Sequence, residues 1–277
     1  MRSLGRLGRV ALPTGMAAAT AWYFSDETRR QQKFTMVKEV FAANKASRMK
    51  SATESLETNP SFYHAFPITA KWDENWDSRD PVSLIDQVAY DEADGPKREE
   101  MITKVKSKAT RHLILVRHGQ YHMDGDKCLT KLGREQAQLL GKRLAIWTVE
   151  WDKLIMSTMT RATETANLAL EELPKELKRK NDSMLEEGAP YPPEPPVAHW
   201  RPQHKEFLTD GARIEAAFRK YVHRASPTQE KDSYELIVCH ANVIRYFVCR
   251  ALQFPPEGWL RISLANTSIT WLVIRPS

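Results

Sequence analysis

A chain of 277 residues with 42% hydrophobic residues and eight tryptophans is long enough to bury a sizeable core. Its formal charge of +6 sits at the front: residues 1–50 carry ten Lys/Arg against three Asp/Glu, which leaves residues 51–277 with one negative charge in excess. A body so nearly neutral excludes a basic nucleic-acid-binding domain. Cys128, Cys239 and Cys249 lack C-x-x-C spacing, so neither a disulfide framework nor a zinc site is suggested, and no other metal cluster or cofactor motif is legible.

Arg2, Arg6 and Arg9 precede a mostly apolar stretch from Val10 to Phe24, and the first acidic residue is Asp26. The stretch is shorter than the roughly 20 residues of a membrane span and contains Pro13. Three readings fit it: a membrane anchor, a cleaved presequence, or a merely apolar start. The Arg-rich, acid-free beginning favours mitochondrial delivery, with Trp22 and Tyr23 suited to an interfacial edge and Arg29, Arg30 and Lys33 to anionic headgroups. A mitochondrial targeting segment and membrane anchor is therefore expected over 1–28.

Over 29–70 a helical or flexible linker is expected. Phe34, Val37, Val40 and Phe41 fall at helical spacing, followed by a Ser/Thr/Asn-rich stretch ending at Asn59-Pro60. In the segment 71–108, Trp72-Asp73-Glu74-Asn75-Trp76-Asp77 sets two large rings four residues apart, on one face if the segment is helical. Such rings either pack into their own chain or anchor another. Asp91 to Glu100 reads as a charged, turn-rich lead-in.

From residue 109 to 277 strand and helix patterns alternate. Strands are expected at His112–Val116, Lys153–Ser157, Glu235–Cys239 and Ser268–Ile274, and helices at Thr130–Trp147, Thr160–Leu173 and Asn242–Leu252. Tyr191–Pro196, with four prolines, can only be a stiff loop. The alternation predicts an α/β fold whose mostly parallel sheet is flanked by helices.

Arg117-His118-Gly119 closes the apolar run Leu113–Val116, at the strand end where ligands of α/β sheets collect. Arginine offers a planar fork to phosphoryl oxygens, and histidine can be a nucleophile toward phosphorus. Taken alone, such a pair is more often two polar residues at a strand mouth than a site. The apolar run Leu236–Cys239, however, ends in His240-Ala241-Asn242 before a helix, whose amide-rich start favours an anion. Ser157-Thr158-Met159-Thr160-Arg161-Ala162-Thr163-Glu164-Thr165 begins at a third strand end and adds Arg161.

R-H-G, then S-x-x-x-R-A-x-E-T, then H-A/G-x, in that order at successive strand ends, resembles the histidine phosphatase, or phosphoglycerate mutase-like, superfamily across residues 111–274. The resemblance implies that His118 attacks phosphorus and becomes a phosphohistidine, while Arg117, Arg161 and His240 hold the phosphoryl oxygens. It implies no metal and no cofactor. It also implies a general acid in an L-x-E pattern, met here by Leu185-Glu186-Glu187 with Glu187 as the candidate and Glu186 left open beside it.

Further stretches extend the likeness: Trp72–Asp77, Ala109–His112, Gly188-Ala189-Pro190 with the proline-rich loop and His199-Trp200, Asp210–Phe218 and Cys239–Tyr246. Together they resemble the mitochondrial serine/threonine protein phosphatases counted as the fifth member of the phosphoglycerate mutase family. That likeness implies phosphorylated proteins as substrates, tethering to a mitochondrial membrane, the outer one favoured and the inner one left open, and homo-oligomeric assembly and activation through Trp72, Asp73, Asn75, Trp76 and Asp77. Two other readings stay open: a small-molecule phosphomonoesterase or mutase on the same fold, and a membrane-tethered scaffold.

Overall fold

The computed structural model describes residues 71–276. The expected targeting segment and anchor over 1–28 and the linker over 29–70 lie outside the described residues. Among the described residues, no helix is long and apolar enough to cross a membrane.

Two helices, α1 (Gln87–Glu92) and α2 (Gly95–Val105), precede the sheet. The second corrects the expectation of a turn-rich lead-in over Asp91–Glu100. The Asp94 side chain accepts a hydrogen bond from the Lys97 amide and Pro96 opens the first turn, so these turn-like residues start a helix. Five strands follow: β1 (Arg111–Arg117), β2 (Lys153–Met156), β3 (Lys178–Asn181), β4 (Ser233–Cys239) and β5 (Ile269–Ile274). Between them lie α3 (Lys131–Ala145), α4 (Thr160–Leu170), α5 (His204–Tyr221) and α6 (Ala241–Ala251).

The strand order is β3-β2-β4-β1-β5, with β5 antiparallel to β1 and the other pairings parallel. The sheet is therefore mixed, with a parallel centre. Its middle strands are apolar on both faces because helices cover both sides. Leu113 and Leu115 of β1, with Ile237 of β4, pack on Ile214 and Phe218 of α5 and on Ile244 and Phe247 of α6. Ile114 and Val116, with Leu236 and Val238, pack on Leu140 and Leu144 of α3 and on Ala166 and Ala169 of α4. The period-2 alternation of a strand sorts neighbouring residues into these two cores.

β3 and α5 are additional to the elements expected from the sequence. All four residues of β3 are exposed, so it carries no apolar signal, and its Lys178, Arg179 and Lys180 suit a sheet edge that must not pair further. The other expected elements are present with ends shifted by up to three residues.

Register decides where chemistry can happen. Arg117 is level with Cys239 and Met156 with Val238, so His118, Ser157 and His240 all follow the strands at one edge of the sheet. The loop after β1 reaches that position by close backbone approach. A Cβ on Gly133 of α3 would lie 1.9 Å from the Gln120 carbonyl oxygen, a contact only glycine avoids.

Trp72 and Trp76 do not share a helical face, because residues 74–77 form a turn. Trp76 packs against the core beside α5, with the Arg224 guanidinium 5.7 Å from its ring centre, while Trp72 is 44% exposed. Asp77 is buried against Arg224, accepting from its amide and from its Nη1, both at 2.8 Å. Gln253 grips Asp73 through both its amide and its carbonyl. Asn75 closes the turn, its side-chain oxygen accepting from the Asp80 amide.

Candidate active site

The strand-end loops bring Arg117, His118, Arg161, Glu187 and His240 together. The rings of His118 and His240 lie 5.1 Å apart, centre to centre, both almost wholly buried. One ligating atom from each of His118, Glu187 and His240 falls within 4.8 Å of the others.

The tautomer of His118 follows from its partners. Nδ1 lies 2.8 Å from the Gly119 carbonyl oxygen, which can only accept, so Nδ1 carries the proton. Nε2 then holds a lone pair, and it accepts a hydrogen bond from Arg161 Nε at 3.2 Å. Burial holds the His118 pKa down to about 3, aided by the positive charges of Arg161 and Arg117 and opposed by the Gly119 carbonyl. The imidazole is neutral, with its free nitrogen facing the guanidinium.

His240 is the residue before the first turn of α6, and its Nε2 is hydrogen-bonded to Ser157 Oγ at 2.8 Å. Burial first, then the nearby His118, Arg161, Arg213 and Arg117, lower its pKa well below the ordinary value. His240 Nδ1 and Arg117 Nε are buried without a hydrogen-bond partner among the described residues. Buried nitrogens left unpaired by the chain itself, in a site that also holds Arg161, are well suited to an oxyanion.

Geometry separates the two adjacent glutamates. Glu187 Oε1 accepts from the Asn242 amide at 3.1 Å in the first turn of α6, whereas Glu186 bonds outward to the Thr158 hydroxyl. Glu187 as a residue keeps some exposure, but its carboxylate end is enclosed, and burial raises its pKa against the lowering pull of the Asn242 amide, Arg161 and Arg117.

Two histidines and a carboxylate are by type a possible metal-ligand set. The guanidinium charges that depress both histidines also repel a cation, so the donor set as a whole is better matched to an anion.

Every polar letter of S-x-x-x-R-A-x-E-T has a partner here, although only Arg161 was singled out from the sequence. Ser157 bonds His240; Glu164 accepts from the Leu129 amide and from Arg134; Thr165 Oγ1 accepts from the Gly119 amide at 2.9 Å and donates to the Arg161 carbonyl. Thr165 thus ties the Arg-His-Gly turn to the helix that bears Arg161. Tyr121, Asn242 and the Leu264–Asn266 loop gave no comparable signal. Tyr121 packs its ring beside His118, 5.1 Å away at a right-angled tilt, and against the Arg161 guanidinium at 4.6 Å. Leu264 accepts from Arg117 through its carbonyl, and Asn266 donates to the His118 carbonyl.

A mixed α/β sheet whose parallel centre delivers two neutral histidines and two arginines to one strand-end pocket defines a histidine phosphatase. The family model described as the histidine phosphatase superfamily, branch 1, matches residues 113–277, and the chain belongs to that superfamily. Its curated relatives place it with the mitochondrial serine/threonine-protein phosphatases. The Caenorhabditis elegans protein of that name, Pgam5, is 49% identical over 274 residues, covering 99% of this chain and 92% of its own length. The Caenorhabditis briggsae Pgam5 is 59% identical over 220 residues, covering 79% of this chain and 77% of its own length. A solved phosphoglycerate mutase from Plasmodium falciparum is 36% identical, covers 61% of this chain and 85% of its own, and superposes with a TM-score of 0.44.

Proposed function

We propose that this chain hydrolyses phosphoserine and phosphothreonine in proteins through a phosphohistidine at His118, with Glu187 as general acid and base. The observation that carries the reading is the tautomer of His118: the proton sits on Nδ1 against Gly119, and the Nε2 lone pair looks into the arginine-lined pocket. A phosphoryl group entering there takes the Arg161 donors in place of Nε2, which frees the nucleophile as the electrophile arrives.

Nε2 forms a bond to phosphorus while the bond to the substrate oxygen breaks. Arg117, Arg161 and His240 spread the charge over the remaining phosphoryl oxygens. Glu187, kept protonated further toward neutrality by burial, gives its proton to the leaving oxygen. The resulting carboxylate takes a proton from water as that water attacks the phosphohistidine, which releases inorganic phosphate and restores both groups. None of these steps calls on a metal.

Phosphoprotein rather than small-molecule turnover is supported by the names of the curated relatives and by the near-neutral charge of residues 51–277. The proposal extends to a mitochondrial setting, to tethering by residues 1–28, and to self-assembly through Trp72–Asp77, with exposed Trp72 as the ring offered to a second copy. The test is a side-by-side assay of phosphoserine and phosphothreonine peptides, phosphotyrosine peptides and phosphoglycerates, with His118→Ala as control. Turnover of phosphoglycerates alone overturns the substrate class, and undiminished hydrolysis by His118→Ala overturns the nucleophile.

A further inference from the structure

Glu187 sits on a segment with little regular structure of its own. A short 3-10 turn, Ser183–Leu185, leads into open chain from Glu186 to Pro190. A carboxyl that must meet one substrate oxygen needs a hold from outside such a segment.

That hold comes from one turn of α5. Arg213 Nη1 donates to the carbonyl oxygens of Met184 at 3.1 Å and Glu186 at 2.6 Å, and Nη2 donates to that of Glu187 at 3.1 Å and to Asp210 Oδ1 at 3.0 Å. The other Asp210 oxygen accepts from the Ala189 amide at 3.0 Å. Gly188 lies between them: a Cβ there would meet the Asp210 carboxylate at 2.6 Å and Arg213 Nη2 at 2.7 Å. Three carbonyls and one amide, spread over Met184–Ala189, are thus fixed to a single pair of side chains.

We propose that Asp210 and Arg213 are positioning residues that clamp the 184–189 segment and aim the Glu187 carboxyl at the leaving-group oxygen. The inference rests on Glu187 being the general acid. Arg213 is not a further phosphate ligand. Among the described residues it is, unlike Arg117 and Arg161, paired with a carboxylate, and both terminal nitrogens are already spent on the segment. The clamp acts where Asn242 cannot: Asn242 touches the Glu187 carboxylate and the Gly188 carbonyl, while Asp210 and Arg213 grip the backbone on both sides.

Leaving-group dependence tests this, because a serine alkoxide needs a proton to depart and p-nitrophenolate does not. In the full chain, Arg213→Lys and Asp210→Asn are expected to lower kcat/KM on a phosphoserine peptide by about 10²-fold, the lower range of what a positioned acid contributes. On p-nitrophenyl phosphate the loss should stay within about threefold, far below what a positioned acid supplies. Gly188→Ala should follow the same pattern. Equal losses on both substrates overturn the clamp. Glu187→Gln, run in parallel, separates the two failures: equal losses from that variant overturn the acid itself, whereas a selective loss there beside unselective clamp variants overturns the clamp alone. Should Arg213→Lys fail to fold, Asp210→Asn, which leaves the three Arg213–carbonyl bonds possible, decides the matter.

Discussion

Arg161 Nε donates to His118 Nε2 at 3.2 Å, so the proposed nucleophile and the guanidinium proposed to hold its substrate are bonded to each other in the free chain. The bond needs a lone pair on Nε2 and is lost on protonation. Burial and the guanidinium charges keep His118 neutral, with a pKa of about 3. Unfolded, the same histidine titrates near 6.5. The folded pKa is depressed, so the stability contributed by neutral His118 is complete above about pH 6.5 and is lost as pH falls toward 3. Between pH 7 and pH 5 this amounts to about 2 kcal/mol. Urea unfolding at the two pH values should show wild type losing more stability than His118→Asn. Equal losses would mean that His118 titrates normally in the fold.

Oxyanion recognition should appear without turnover. Vanadate, a mimic of the phosphoryl group in transfer, is expected to raise the melting temperature, equivalent to about 2.7 kcal/mol at a hundred times its Kd. Arg161→Leu removes a donor that touches His118 and leaves Tyr121 without its cation, so the variant should show little shift at the same vanadate concentration. A full shift would place the anion elsewhere.

The legible parts of this protein are those where one residue's surroundings follow from its own neighbours. β1 and β4 were readable because a strand covered on both faces is apolar throughout, and His118, Arg161 and His240 because each sits at a strand end or in a first helical turn. β3 was not, because a solvent-facing edge asks only for polar residues. The turn-rich reading of Asp91–Glu100 failed because Asp and Pro start helices as readily as they make turns. Tyr121, Asn242, Asp210 and Arg213 act through ring faces and backbone groups brought near by the tertiary fold, and no local spacing announces such contacts.

Gly133 offers a test of how the Arg-His-Gly turn is held. Its missing Cβ lets the Gln120 carbonyl approach α3, and Gly119 in turn lies against the Gly133 carbonyl, where its own Cβ would come within 2.6 Å. Both neighbours are backbone and cannot swing aside. Gly133→Ala should therefore push the 118–120 turn off α3, disturb the Gly119–Thr165 bond, and cost at least about 2 kcal/mol, in the range of overpacking. Activity should fall more than ten-fold even where the chain remains folded. Wild-type activity in a folded Gly133→Ala would show that the turn does not depend on this approach.

Trp72 and Asp77 should separate folding from assembly. Asp77 is enclosed, with two bonds to Arg224, whose third partner is the Glu74 carbonyl. Asp77→Ala leaves a buried guanidinium half-paired and should cost about 3–5 kcal/mol, read as a lower melting temperature. Trp72 is exposed, so Trp72→Ala should change stability by no more than about 0.5 kcal/mol. If the segment docks on a second copy, Trp72→Ala sediments as smaller particles than wild type at equal concentration. Its activity on phosphopeptides should fall with the loss of assembly, while melting compared at concentrations too low for assembly stays unchanged. Particles of wild-type size from a well-folded Trp72→Ala would remove this ring from the interface, and with it the argument for assembly through residues 72–77.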